Sequence, residues 1–255
     1  MNTRDILRRY REGSLSEDEA AGLLNGAGIR DLGHTRLDLD RKRRTGCAEV
    51  VFGESKTVGQ MTEIVKALLE TAGRALVTRL SPEKAEGLLA AFPGGAYNPA
   101  SRLLVVGGNE APSPGASCVA VVSAGTSDMP VAEEAAGTLE FLGTPVLRRY
   151  DCGVAGLHRL LGELAAIRRA AAVVAVAGME GALPGVVAGL VEAPVLAVPT
   201  SVGYGLSLRG VTPLLAMLNT CSSGVSVVNI DNGFGAGFTA HLIARQVRAD
   251  SRSGK

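Results

Sequence analysis

The chain has no tryptophan, only 4% aromatic residues and 3 histidines in 255 residues. So few large rings argue against an aromatic-rich β-sandwich core. His34, His158 and His241 show no metal-ligand spacing and do not suggest a Ser-His-Asp triad. The four cysteines, Cys47, Cys118, Cys152 and Cys221, include no C-x-x-C pair. That argues against a disulfide framework or structural zinc site, and for a reducing, cytoplasmic setting. Apolar runs such as 170–177 are too short to span a bilayer, and the charged start lacks the apolar segment of a secretory signal. A formal net charge of +1 gives no global reason to expect nucleic acid or a membrane as partner. The run Arg41-Lys42-Arg43-Arg44 is a local exception, but no aromatic residues accompany it for base stacking. No P-loop and no G-x-G-x-x-G placed after a strand is present.

Small residues are plentiful, with 33 glycines, and suit helices packed closely on a parallel sheet. The pattern divides the chain at a Pro/Ser/Gly-rich stretch, residues 109–117. Before it, Thr3 and Gly13 bound a first helix carrying Ile6, Leu7 and Tyr10. Ser16 and Glu19 form a capping-box pattern ahead of a second helix, which should bury Ala20, Leu23 and Leu24. Strands are predicted at 48–52, 76–78 and 103–106, with a helix over 58–72 and another opening at Ser81-Pro82. Residues 36–44 are charged and show no clear element. Together these give a small α+β domain, 1–112. Beyond the linker, strand-like runs at 119–122, 145–148, 172–176, 195–198 and 225–229 alternate with helical stretches. Parallel strands need crossovers of this kind, so 113–250 is predicted to be a three-layer α/β domain with a doubly wound parallel sheet, followed by a polar tail, 251–255.

Loops after strands are where such folds hold ligands. In Ser123-Ala124-Gly125-Thr126-Ser127-Asp128-Met129-Pro130 an apolar strand gives way to a helix start, where Ser127 or Asp128 can cap the first turn and its N–H groups can face an anion. The same pattern also serves as a plain strand-to-helix connection. In residues 177–185, Gly178 and Met179 allow close backbone approach, and Glu180 is a lone carboxylate in an apolar segment. Burial there would favour its neutral form and suit it to acid–base work; a helix-capping role is the alternative. The polar loop of Ser201, Gly203 and Tyr204 is long enough to wrap a ligand. Most lone cysteines are inert, but Cys221 lies among small polar neighbours and should be reachable. The helix end preceding it opposes thiolate formation, so a working Cys221 needs cationic help. Lys56 and Arg74 are candidates for an anionic ligand, although surface cations are common.

The 123–130 and 177–185 loops resemble those of the PurE family of aminoimidazole ribonucleotide carboxylases and mutases. The family's catalytic histidine falls on Ala182, which argues against a purine-type reaction, and Glu180 has no counterpart there. Nearly the whole chain resembles the LarB family of nickel-pincer cofactor biosynthesis. The match includes Gly53-Glu54-Ser55-Lys56-Thr57, Tyr150-Asp151-Cys152-Gly153, the loops of Glu180 and Tyr204, and Asn219-Thr220-Cys221. The resemblance implies carboxylation of the pyridinium ring of nicotinic acid adenine dinucleotide by CO2 or bicarbonate. Phosphoanhydride hydrolysis would then release AMP and leave pyridinium-3,5-biscarboxylic acid mononucleotide. Cys221 would be the covalent nucleophile, Glu180 the first candidate base and Asp128 the second. Gly125, Thr126, Ser127 and the other loop residues would cradle the substrate, with Lys56 and Arg74 at phosphate or carboxylate. Magnesium is expected on the substrate, not in a protein site. The PurE relationship implies a homo-oligomer, with an octamer as the candidate state. The competing readings are a purine-type carboxylase/mutase and a nucleotide-binding module without catalysis.

Overall fold

A computed structural model describes residues 3–26 and 28–253, with side chains for all of these except 25, 26, 43 and 248–253. The N-terminal part holds α1 (Thr3–Arg11), α2 (Glu17–Gly26), β1 (Ile29–Asp31), β2 (Arg36–Asp38), α3 (Arg41–Thr45), β3 (Val51–Phe52), α4 (Val58–Ala72), β4 (Ala75–Thr78), α5 (Pro82–Ala91), β5 (Ala96–Asn98) and β6 (Leu103–Val106). After the linker come β7 (Val119–Ser123), α6 (Met129–Phe141), β8 (Val146–Arg149), α7 (Leu157–Ile167), β9 (Ala172–Ala177), α8 (Leu183–Ala188), β10 (Val195–Pro199), α9 (Val211–Leu218), β11 (Val225–Val227) and α10 (Gly233–Ser253). The polar tail expected from residue 251 is helical through Ser253, and its last two residues lie outside those described.

In the C-terminal domain five parallel strands run in the order β11-β10-β9-β7-β8. The chain starts near the middle, winds outward to β8, then returns past β7 to wind the other way. The reversal falls between β7 and β9, the topological switch point at which open α/β sheets bind ligands. Central strands of such a sheet are covered on both faces and read as continuous apolar runs. β9 fits that rule: Val174 and Val176 join the core under α6 and α10, while Val173 and Ala175 face the opposite core with Leu160 and Leu183. The alanine and glycine content has a direct purpose here. Ala132, Ala135 and Ala136 of α6 meet Ala236, Ala240 and Ala244 of α10 in one core. A Cβ on Gly237 would stand 2.6 Å from the Ala135 carbonyl oxygen, so the two helices approach as closely as backbone permits.

The smaller domain forms a mixed sheet, β3-β4-β6-β5, with β3 and β4 parallel and the other pairs antiparallel. Helix α4 is well founded: Thr57 and Gln60 close a reciprocal capping box, and the helix buries Met61, Ile64, Val65, Ala67 and Leu68. Its sheet is buried on both faces. Ala75, Val77, Leu104 and Val106 face α4 and α5, whereas Leu76 and Leu103 pack with Phe141 and Leu142 of the C-terminal domain. The domains are therefore joined by a shared apolar seam. Arg74 lies along that seam, pairing with Glu110, donating to the Phe141 carbonyl at 3.3 Å and resting 5.0 Å from the Phe141 ring centroid. Arg79 crosses it too, donating to the Asp231 carbonyl and lying 3.4 Å from Glu134. Burial raises the Glu134 pKa, a shift the Arg79 charge opposes.

Several expectations need correction. The Ser16–Glu19 capping box is present, but Leu7, Tyr10, Leu23 and Leu24 are exposed; in α1 and α2 only Ile6 and Ala20 are buried among the described residues. Helical periodicity marks an apolar face but not whether a larger body covers it. The strand expected over 48–52 shrinks to two residues, because β3 pairs only Val51 with Val77 and Phe52 with Thr78. The charged 36–44 segment supplies β2 and α3, and the β1–β2 hairpin and β5 carry too little apolar alternation to be predicted.

His241 on α10 gives a pH prediction. It is 6% exposed, its Nδ1 sits 2.7 Å from the Thr144 hydroxyl, and burial with the nearby Arg245 charge lowers its pKa to about 4. The unfolded chain therefore takes up this proton first as pH falls. Stability from the neutral ring is full above the ordinary histidine pKa of about 6.5 and is lost on descent toward 4. Its ceiling is about 3 kcal/mol. Thermal melts of His241→Gln, which keeps a polar partner for Thr144, should fall less steeply with pH across that window than wild type.

Candidate active site at the carboxyl edge of the sheet

The 123–130 segment departs from a simple cap. A 3-10 turn, Thr126–Asp128, precedes α6, and Asp128 makes no capping bond to that helix. Its carboxylate, 5% exposed, accepts instead from the Gly125 amide at 2.9 Å, the Gly178 amide at 3.0 Å and the Thr200 hydroxyl at 2.7 Å. These donors belong to the loops after β7, β9 and β10. A carboxylate offers about four acceptor positions, so most of its capacity is used inside the protein. Asp128 ties the crevice together, and little of it faces a ligand.

Above it opens a cleft of about 490 Å³, within the range of small-molecule sites. Gly125, Ser127, Asp128, Gly178, Met179, Glu180, Gly203 and Tyr204 line it, which brings eight of the predicted residues to one place. Gly178 is obligatory: a Cβ there would lie 2.2 Å from the Val202 carbonyl oxygen, closing the approach of two loops. Met179, with φ +53, holds a left-handed conformation that turns the chain between Gly178 and Glu180. Glu180 is exposed, not desolvated as its apolar neighbours suggest, because the loop lifts it to the rim. Tyr204 is 82% exposed.

Thr126 and Ser201 do not line the cleft, although the Ser201 amide donates to the Asp231 carboxylate at 2.7 Å and so fixes the loop after β10. Lys56 donates to the Phe52 carbonyl, and Arg74 is taken up by the domain seam; neither lines the cleft. Two charged lining residues lie outside the set predicted from sequence, the paired Asp151 and Arg159. Asp151 has φ +56, and the Tyr150-Asp151-Cys152-Gly153 motif was the signal that could have pointed to it.

Cys221 is exposed in the turn from α9 to β11 and is not among the cleft's lining residues. Its neighbours Thr220 and Ser222 line an adjoining hollow with Leu157, Leu161 and Gly185. The Ser222 hydroxyl donates to the Gly185 carbonyl at 2.7 Å, pinning the cysteine turn against α8. Ala182 lines both spaces and is their common wall. Among the described residues no group of three or more His, Cys, Asp or Glu side chains could hold a metal ion, and no helix is long and apolar enough to cross a membrane.

The doubly wound sheet with its ligand cleft at the switch point defines a PurE-like domain, and residues 118–253 match the AIR carboxylase family. Residues 29–108 match the LarB/PurE-like N-terminal domain. The chain is 39% identical over 252 residues, 96% of its length and 97% of the relative's, to a Methanocaldococcus jannaschii protein named Uncharacterized protein MJ0165. It is 32% identical over 126 residues to the N5-carboxyaminoimidazole ribonucleotide mutase of the same organism, covering 48% of this chain and 75% of the mutase. Against the mutase of that name from Pyrococcus horikoshii it is 32% identical over 129 residues, 48% of this chain and 69% of that one. The chain belongs to the LarB family, with a LarB-type N-terminal domain and a PurE-like C-terminal domain, and its role is related to that of carboxylases and mutases.

Asp128→Asn tests the brace. The amide can accept through its oxygen, but its NH2 must then face a donor such as the Gly125 N–H. A loss of about 3 kcal/mol in denaturant unfolding is expected, together with loss of ligand binding in the cleft. Unchanged stability and binding would refute the assignment.

Proposed function

We propose that the protein carboxylates the pyridinium ring of nicotinic acid adenine dinucleotide and releases AMP, giving pyridinium-3,5-biscarboxylic acid mononucleotide. The observation that carries this reading is Ala182. It stands where the PurE family has its histidine, and it is the wall shared by the cleft of Glu180 and the hollow beside Cys221. A small residue there leaves room for a flat ring to lie across the wall between a carboxylate and a thiol.

A pyridinium ring is electron-poor and does not attack CO2. Addition of the Cys221 thiolate to the carbon para to nitrogen forms a C–S bond and moves an electron pair onto the ring nitrogen. The resulting enamine carbon, the unsubstituted meta position, attacks CO2 and forms the new C–C bond. Glu180 removes the proton from that carbon, and the returning electrons restore the enamine. Expulsion of the thiolate breaks the C–S bond and regenerates the aromatic ring. The nucleophile thus divides one inaccessible step into feasible ones. The cationic ring attracts the thiolate, offsetting the unfavourable helix end before Cys221. Asp128 acts as the brace of the cleft, and Ser127 with the Gly125 and Gly178 backbone forms the cradle. Arg159 is better placed than Lys56 or Arg74 for phosphate, since it lines the cleft.

Water attack on the phosphoanhydride releases AMP. Magnesium enters in this proposal only as an ion carried by the substrate, and no step is assigned to it. The segment after β10 exposes Tyr204, Leu206, Leu208, Leu215 and Leu218, with Leu206 at 81%, and we assign this apolar surface to contact between copies in a homo-oligomer, an octamer by family resemblance.

Turnover is followed as AMP release and product mass with nicotinic acid adenine dinucleotide and bicarbonate. Cys221→Ala should lose turnover and retain substrate binding; normal turnover would sink the covalent mechanism. Ala182→His should keep the fold and lose turnover on this substrate by filling the wall. Activity on the aminoimidazole nucleotide instead would favour a purine-type carboxylase/mutase.

A further inference from the structure

A second cavity, of about 440 Å³, lies at the domain seam, away from the switch-point cleft. Its walls come from three parts of the chain: Lys42 on α3, Glu110 and Ser113 in the linker, and Thr144, His241 and Arg245 from the C-terminal domain. The charges do not balance. Glu110 is shared by Lys42, at 3.2 Å, and Arg74, so one carboxylate meets two cations. Arg245 donates to the Gly46 carbonyl at 3.4 Å and has no carboxylate partner among the described residues. Among the lining side chains Lys42 and Arg245 exceed Glu110 by one positive charge, and Arg74, which meets Glu110 from outside the space, brings the excess to two. Thr144 and His241, both buried, form its polar floor, 2.7 Å apart through the hydroxyl and Nδ1. The Nε2 of His241 and the Ser113 hydroxyl have no protein partner among the described residues, which leaves them available to an acceptor-rich guest.

From this geometry we propose that the seam cavity binds a small dianion of the phosphate-monoester class, held by Lys42 and Arg245 over the Thr144–His241 floor. A phosphate presents several acceptor oxygens, matching a site of ammonium, guanidinium, hydroxyl and ring N–H donors. Because the donors come from both domains and the linker, binding fastens the seam, and ligand that binds only the folded protein raises its stability. An anion beside His241 also opposes the effect of Arg245 and favours the protonated ring.

The test uses the full chain, with inorganic phosphate and ribose 5-phosphate as probes. Calorimetry should show saturable binding, melting temperature should rise with probe, and the His241 ring titration, followed by NMR, should move to higher pH. The double variant Lys42→Ala/Arg245→Ala removes two exposed side chains and should melt like wild type without probe. Its affinity should fall at least about tenfold, since each lost cation removes a direct charge-assisted contact. Arg159→Ala, which alters the other cleft, should leave the His241 shift unchanged. Tighter binding of ribose 5-phosphate than of phosphate assigns the site to a phosphate monoester; equal or weaker binding overturns that class. Absence of saturable binding, or binding lost in Arg159→Ala and kept in the double variant, overturns the site.

Discussion

Everything in the candidate site depends on one buried carboxylate. Asp128 collects an amide from its own loop, an amide from the loop after β9 and a hydroxyl at the end of β10. Bonds from neutral donors to a carboxylate are shorter and stronger than neutral pairs, and burial strengthens them further. The same burial makes the unpaired carboxylate costly, so the loops and the acid stabilise one another or none is placed. Asp128 thus shapes the crevice, while Glu180 stands on the exposed rim, where the proposed reaction uses it as the base.

The N-terminal domain reaches the same crevice by a different route. Arg79, in the left-handed region at φ +53, donates to the carbonyl of Asp231 across the seam. Asp231, itself at φ +57, accepts from the Ser201 amide through its side chain. One chain of contacts therefore links the small domain to the loop after β10, whose first residue, Thr200, is bonded to Asp128. The small domain's sheet needs the larger domain to cover Leu76 and Leu103, and the larger domain's loop needs Arg79 to hold Asp231. Mutual coverage of this kind gives a physical reason for the two parts to occur in one chain.

Much of the architecture was legible because its signals are local. Apolar runs in β7, β9 and β10, the Ser81-Pro82 start of α5 and the Thr57 box of α4 each rest on a few adjacent residues. Loop membership in the cleft followed from the same reading, since the loops after parallel strands share one edge. What stayed hidden depends on contacts distant in sequence. Arg74 looks like a surface cation until Glu110 and Phe141 close around it. Glu180 looks buried because its neighbours are apolar, yet the left-handed turn at Met179 lifts it out. Leu7 and Tyr10 have the spacing of a buried face, yet both side chains are exposed. The pairing of Asp151 with Arg159 across eight residues carries no signal in either residue alone.

The resemblance to the PurE family puts a histidine at the position of Ala182, and under the proposed reaction that difference decides the chemistry. In a PurE-like cleft an imidazole at this position would close the side of the pocket and supply a proton carrier within it. With alanine the wall is low, and beyond it lies the turn that Ser222 anchors to Gly185. In the proposed reaction the nucleophile, Cys221, stands outside the cleft, so the loops gathered by Asp128 need not move to admit it. An electron-rich ring can attack CO2 unaided, whereas an electron-poor ring must first be attacked itself. Under the proposed reaction the structural difference and the chemical difference point the same way: the cleft would hold the ring, and the thiol beyond Ala182 would turn an unreactive ring into a carbon nucleophile.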